Sequence, residues 1–143
     1  MNKPILQMNG VTRRFATGGG FFSKPSFTTA VNDISLTVAA GEVCAIVGES
    51  GSGKSTLARL AAGIDSPDAG QVLFRGTPYA KSGSAPWRRE RAVVQFVFQN
   101  PSSALDPRAS IASQIGEMLT THERCDAAAR KARTDEILDR VGL

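Results

Sequence analysis

Residues 48–55 read G-E-S-G-S-G-K-S, the pattern G-x-x-x-x-G-K-[ST], and each defined position has a chemical reason. Gly48, Gly51 and Gly53 permit backbone torsions that a side chain forbids, and they let the main chain approach a ligand closely. The successive N–H groups of Ser50, Gly51, Ser52 and Gly53 are then free to turn inward and cradle phosphate oxygens. A helix starting near Lys54 adds its partial positive end at the same place. Lys54 has the reach for the β- and γ-phosphates, Ser55 offers a hydroxyl to Mg²⁺, and Thr56 adds one more phosphate contact. The chemistry is that of a nucleoside-triphosphate site. A Gly/Ser turn without function would match by chance, but here an apolar run precedes the loop and an amphipathic segment follows it, as the motif requires.

Those flanking elements follow from patterning. Residues 43–47 (VCAIV) are continuously apolar between turn residues, which predicts a strand buried on both faces, with Cys44 as a small buried side chain. Residues 54–62 predict a helix whose apolar face is Leu57, Leu60 and Ala61, with Gly63 as its C-cap. Upstream, residues 5–11 are weakly strand-like and residues 18–28 read as a loop carrying Phe21, Phe22 and Phe27. Residues 34–38 (ISLTV) alternate apolar and polar, the mark of an antiparallel strand with one wet face. Downstream come a turn at 65–70, a strand at 71–76, a loop over 77–91 and a second buried strand at 92–99. Helices follow at 110–121 and 127–141, the second capped by Asp126, stopped by Gly142 and apolar along Ile137, Leu138 and Val141. The expected class is α/β, with residues 1–100 forming one part and residues 101–143 beginning another.

Composition narrows the function classes. The 143 residues are 41% apolar and 21% charged, which excludes a disordered tail, a collagen-like chain and a coiled coil. No apolar stretch approaches the ~20 residues that span a bilayer, and the first ten residues hold no apolar signal core. Net charge is +4, a mild excess compatible with phosphate ligands. The densest basic run, Arg88, Arg89 and Arg91, reads as a solvated face, so no nucleic-acid partner is expected. Cys44 and Cys125 lack metal-ligand spacing and His122 has no partner motif, while Asp106 and Glu117 read as surface.

The stretch G-E-V-C-A-I-V-G-E-S-G-S-G-K-S-T-L resembles the Walker A region of ATP-binding cassette (ABC) transporter ATPases. About forty residues of β-type sequence precede it, as in that family. Residues 66–76 (S-P-D-A-G-Q-V-L-F-R-G) are similar to the turn and strand after the family's Walker A helix. Residues 97–108 (V-F-Q-N-P-S-S-A-L-D-P-R) are similar to its Q-loop, which puts Gln99 at the family's glutamine, a contact to Mg²⁺ or its water. The Q-loop wording and the G-G-G-F-F insertion at 18–22 most resemble the dipeptide, oligopeptide and nickel importers.

The resemblance implies a P-loop core with an N-terminal antiparallel β portion, entering a helical subdomain near residue 101. It implies ATP and Mg²⁺ as cofactors, and Phe15 as the aromatic that stacks on adenine, with Phe21, Phe22 and Phe27 as competitors. It further implies membrane permease subunits docked through the Q-loop region, a second ATP-binding subunit arranged head to tail, and an indirect link to an external solute-binding protein. The location implied is the cytosolic face of the cell membrane, and the function ATP-driven import of peptides or nickel. The family's signature motif, Walker B carboxylates and switch histidine have no counterpart here. Asp135-Glu136 falls inside a helical stretch, and His122 has the wrong neighbours. The expectation is an N-terminal portion of a nucleotide-binding domain, with half a site, no complete catalytic set beyond Gln99, and no turnover alone. Rival readings are a soluble ABC-type ATPase acting on nucleic acid or ribosomes, and a vestigial nucleotide-binding module.

Overall fold

The computed structural model describes residues 3–17, 26–80, 83–123 and 125–143. Phe21, Phe22 and the G-G-G-F-F insertion lie outside the described residues. The chain divides into two compact units, the first ending at Ser82 and the second starting at Gly83.

In the first unit, β1 (Pro4–Thr17) lies between β2 (Ser26–Ala39) and β3 (Ala69–Phe74), and a short β4 (Thr77–Pro78) completes the order β2-β1-β3-β4. All three pairings are antiparallel, with Met8 opposite both Leu36 and Val72. The weak patterning of 5–11 has a local cause. Strict alternation would turn Met8 and Val11 to opposite faces, yet both are buried, because the register shifts between them. Gly10, at φ +58, supplies the left-handed residue that this bulge needs.

The sheet's core face, made by Met8, Val11, Val31 and Val72, receives α1 (Lys54–Ala61) through Leu60, with Leu57 and Ala61 at the margin. The predicted apolar face of this helix is the one that packs. Its C-terminus is closed as expected by Gly63 at φ +64, whose N–H donates to the Leu60 carbonyl. The Tyr79 hydroxyl donates to the Ala61 carbonyl at 2.8 Å, serving another otherwise open acceptor.

The second unit is helical: α2 (Ala85–Val93), a 3₁₀ turn (Pro101–Ala104), α3 (Ile111–His122) and α4 (Ala127–Arg140). The last two match expectation. The Asp126 carboxylate accepts from Ala129 N at 2.8 Å as the α4 cap, and Gly142 at φ +77 ends the helix. Ile137 and Leu138 are half-buried, whereas Val141 is exposed. Buried Leu119 of α3 and Thr134 of α4 mark the seam between them, where Arg130 donates to the Thr120 hydroxyl.

Three expectations are overturned. Residues 43–47 form no strand: Val43 is 95% and Val47 89% exposed, and Cys44 is exposed rather than buried. The expected strand at 92–99 is instead the end of α2 followed by an irregular stretch, with Val97 exposed. A strand buried on both faces needs hydrogen-bonding neighbours and a covering layer, and among the described residues no strand pairs with either segment. Residues 85–91, read as loop, belong to α2 because Ser84 accepts from Trp87 N while Pro86 occupies the first turn.

Candidate functional site

Residues 48–53 run as a loop, exposed as far as Ser52 and half-buried at Gly53, from the 43–47 segment into α1. Gly53 is the residue before the helix, at φ +91, and its carbonyl accepts from Leu57 N at 2.9 Å. No side chain caps this helix start and no acidic residue lies in its first turn. The first N–H groups of α1 therefore keep their donor capacity, and the dipole's positive end carries no built-in counter-charge.

Gly53 is required sterically as well as conformationally. A Cβ built there would sit 2.1 Å from the Ala30 carbonyl oxygen of β2. The loop is thus pressed onto the sheet, and a cavity of about 270 Å³ beside it is lined by Val31, Asn32, Ser52, Gly53, Lys54 and Leu57, among others. The side chain of Lys54 folds back over the loop. Its ammonium donates to the Gly48 carbonyl at 2.8 Å and the Glu49 carbonyl at 2.5 Å, and lies 3.4 Å from Ser52 Oγ. A cation held by neutral carbonyls, with no carboxylate against it, is available to a polyanion arriving at the same loop. Ser55 is exposed and Thr56 half-buried on the first turn of α1.

The structure therefore gathers Gly48, Ser50, Gly51, Ser52, Gly53, Lys54, Ser55 and Thr56 around one helix start. Phe15 belongs to the same unit, on β1 opposite Thr28, and its ring is 40% exposed. Phe27, its competitor among the described residues, is more exposed still and pairs with Ala16. Gln99 lies in the second unit, exposed, between α2 and the 3₁₀ turn. Asp106 is held by Arg108, whose guanidinium and backbone N–H lower its pKa, and Glu117 is exposed, as surface residues should be.

Sequence reasoning missed three neighbours of these groups. The Ala30 carbonyl, which dictates Gly53, is a long-range backbone contact that leaves no trace in residue types. Arg13 and Asp68 form an ion pair at 2.9 Å beside Phe15; their opposite charges were visible, their meeting 55 residues apart was not. At the end of α1, Arg59 grips Asp65 in a two-pronged bond of 2.7 and 3.0 Å, and that hydrogen bonding holds the Asp65 carboxyl below its usual pKa.

Against known proteins, residues 31–143 match the profile of the ABC transporter family. The chain belongs to that family. This ABC chain is 39% identical to the nickel import ATP-binding protein of Rhodospirillum rubrum over 98% of its own length and 50% of that protein's. It is 34% identical to the dipeptide transport ATP-binding protein of Haemophilus influenzae over 99% of its length and 43% of that protein's. The chain thus spans about half the length of the curated relatives it matches. A bacterial ABC transporter cassette solved as a dimer superposes with a TM-score of 0.78 at 24% identity, over 96% of this chain and 57% of that one, which shows the shared α/β cassette fold. Among the described residues, no helix is long and apolar enough to cross a membrane.

Proposed function

We propose that this ABC chain binds ATP with Mg²⁺ at the loop of residues 48–55. The observation that carries the reading is the start of α1, uncapped, free of acidic residues and overlain by the Lys54 ammonium. Donor N–H groups, a helix dipole and a cation converge there with no acidic residue in the first turn of the helix, which is the donor set a triphosphate needs. The residues fit the group. Backbone N–H groups of Ser50, Gly51 and Gly53 would hold phosphate oxygens, with Ser52 N–H exchanging its 3.3 Å bond to the Glu49 carbonyl for one, and Lys54 would exchange its loop carbonyls for the outer phosphates. Ser55 would offer its hydroxyl to the metal, Thr56 would add a phosphate contact, and Phe15 would stack on the base. ATP supplies the phosphoryl-transfer energy when bound; the chain's own part is to bind, orient and neutralise.

The protein to which this sequence corresponds would couple ATP hydrolysis to import of peptides or nickel; the relatives above are named for nickel import and dipeptide transport. In that setting Gln99 would sense the metal and the adjoining loop would contact a membrane permease subunit on the cytosolic side, with residues 101–143 opening the helical subdomain. A second ATP-binding subunit would face this one head to tail, and a solute-binding protein outside the membrane would deliver the cargo.

The deciding experiment is calorimetric titration of the protein with MgATP beside Lys54→Ala. Removing the one cation in the loop should weaken binding about ten- to a hundredfold, since charge-assisted contacts are worth ~1.5–3 kcal/mol. Equal affinities in the two proteins would remove the nucleotide reading.

A further inference from the structure

Phe15 is not a solitary ring. The Arg13 guanidinium carbon lies 5.0 Å from its centroid, over the ring, from two residues back along β1. Arg13 is itself fixed: Nη1 donates to Asp68 Oδ1 at 2.9 Å. The other oxygen of that carboxylate accepts from the Arg14 backbone N–H at 2.6 Å, and Asp68 N donates to the Thr12 carbonyl at 2.9 Å. Asp68 is therefore bound to three consecutive residues of β1 immediately before Phe15. Its own segment leaves the end of α1 through the Arg59–Asp65 pair. The chain of contacts runs from the helix that carries Lys54 to the ring on β1.

We propose that Arg13 and Asp68 act as a positioning pair for the Phe15 ring, making the site's affinity depend on the base of the nucleotide and not only on its phosphates. The proposal rests on the reading of Phe15 as the base-stacking residue. A guanidinium over one face of an exposed ring holds that ring in one orientation before a base arrives, so less rotamer freedom is lost on binding. Asp68 in turn holds the guanidinium, because its carboxylate satisfies one fork nitrogen of Arg13 while anchored to the β1 backbone through Arg14. Neither residue needs to touch the nucleotide.

The test is titration of the protein with ATP and, separately, with inorganic tripolyphosphate, each with Mg²⁺, in wild type, Phe15→Ala, Arg13→Gln, Arg13→Lys and the double variant Phe15→Ala/Arg13→Gln. A cation–π contact at an exposed site corresponds to about a two- to fivefold change in affinity. Arg13→Gln should lose that factor for ATP and nothing for tripolyphosphate, Arg13→Lys should recover only part of it because an ammonium lacks the planar fork, and Arg13→Gln should add no loss once Phe15 is gone. Asp68→Asn should follow Arg13→Gln. A parallel loss for tripolyphosphate would overturn the proposal, placing Arg13 on phosphates or in the fold at large. So would a loss from Arg13→Gln that persists in the Phe15→Ala background. Arg13→Gln without effect, while Phe15→Ala weakens ATP alone, would refute the pair and leave the stacking reading standing. An inert Phe15→Ala would refute both. If Arg13→Gln does not fold, Phe15→Trp carries the test through quenching of its fluorescence by ATP, compared with Arg13 and with Lys at that position. Identical quenching titrations in the two would overturn the proposal, because Lys keeps the charge but not the planar fork.

Discussion

Substituting Gly53 by Ala tests the steric basis of the candidate site. Two costs add. At φ +91 a side chain meets left-handed strain of about 1–2 kcal/mol. The new Cβ also lands 2.1 Å from the Ala30 carbonyl oxygen, against the ~3.3 Å at which a carbon and a carbonyl oxygen rest in contact, so something must move by about 1 Å. The neighbours resist that movement. Ala30 sits in β2 between Thr29 and Val31, both paired to β1, and α1 is seated by buried Leu60. Overpacking of that kind costs about 1–3 kcal/mol, so the sum is about 2–5 kcal/mol, a large part of the ~5–15 kcal/mol that keeps a domain folded. Gly51 is the internal control. Its φ is +79, but a Cβ there meets nothing within 4 Å, so Gly51→Ala should show only the strain of about 1–2 kcal/mol. Urea unfolding followed by circular dichroism gives both numbers, provided the slopes agree. Equal losses for the two variants would refute the claim that the loop is pressed onto β2.

Two further outcomes follow from the packing and the charges. Leu60→Ala should lower the urea midpoint by the equivalent of about 2–5 kcal/mol, because it empties the contact that seats α1 on Met8, Val11, Val31 and Val72; a loss under ~1 kcal/mol would contradict that role. Asp65→Asn should cost about 0.5–1 kcal/mol near neutral pH. Because the folded Asp65 carboxyl has a lowered pKa, its contribution is present above the ordinary carboxylate value of 3.8 and is lost as pH falls through the folded value. The gap in melting temperature between Asp65→Asn and wild type should therefore close on acidification, and a gap constant from pH 7 to pH 3 would refute the pairing.

Features that depend on neighbours along the chain can be read from residue types alone. Residues 48–55, the helix after them, Gly63, the Asp126 cap and Gly142 were all legible, because glycine torsions, capping side chains and 3.6-residue periodicity act over a few residues. Even α2 has a local signal, the Ser84 cap with Pro86 in the first turn. Features that depend on partners distant in sequence emerge with the packed fold. An apolar run states that it would gain from burial, not that anything is there to bury it, so 43–47, Val97 and Phe98 stand exposed without strand partners among the described residues. The same holds for contacts whose partners are distant in sequence. Ala30 against Gly53, and Asp68 against Arg13 beside Phe15, arise because β1 lies between β2 and β3 and α1 lies on their face. Local residue types encode local torsions; which backbone oxygen or carboxylate arrives opposite them is set by strand order and register.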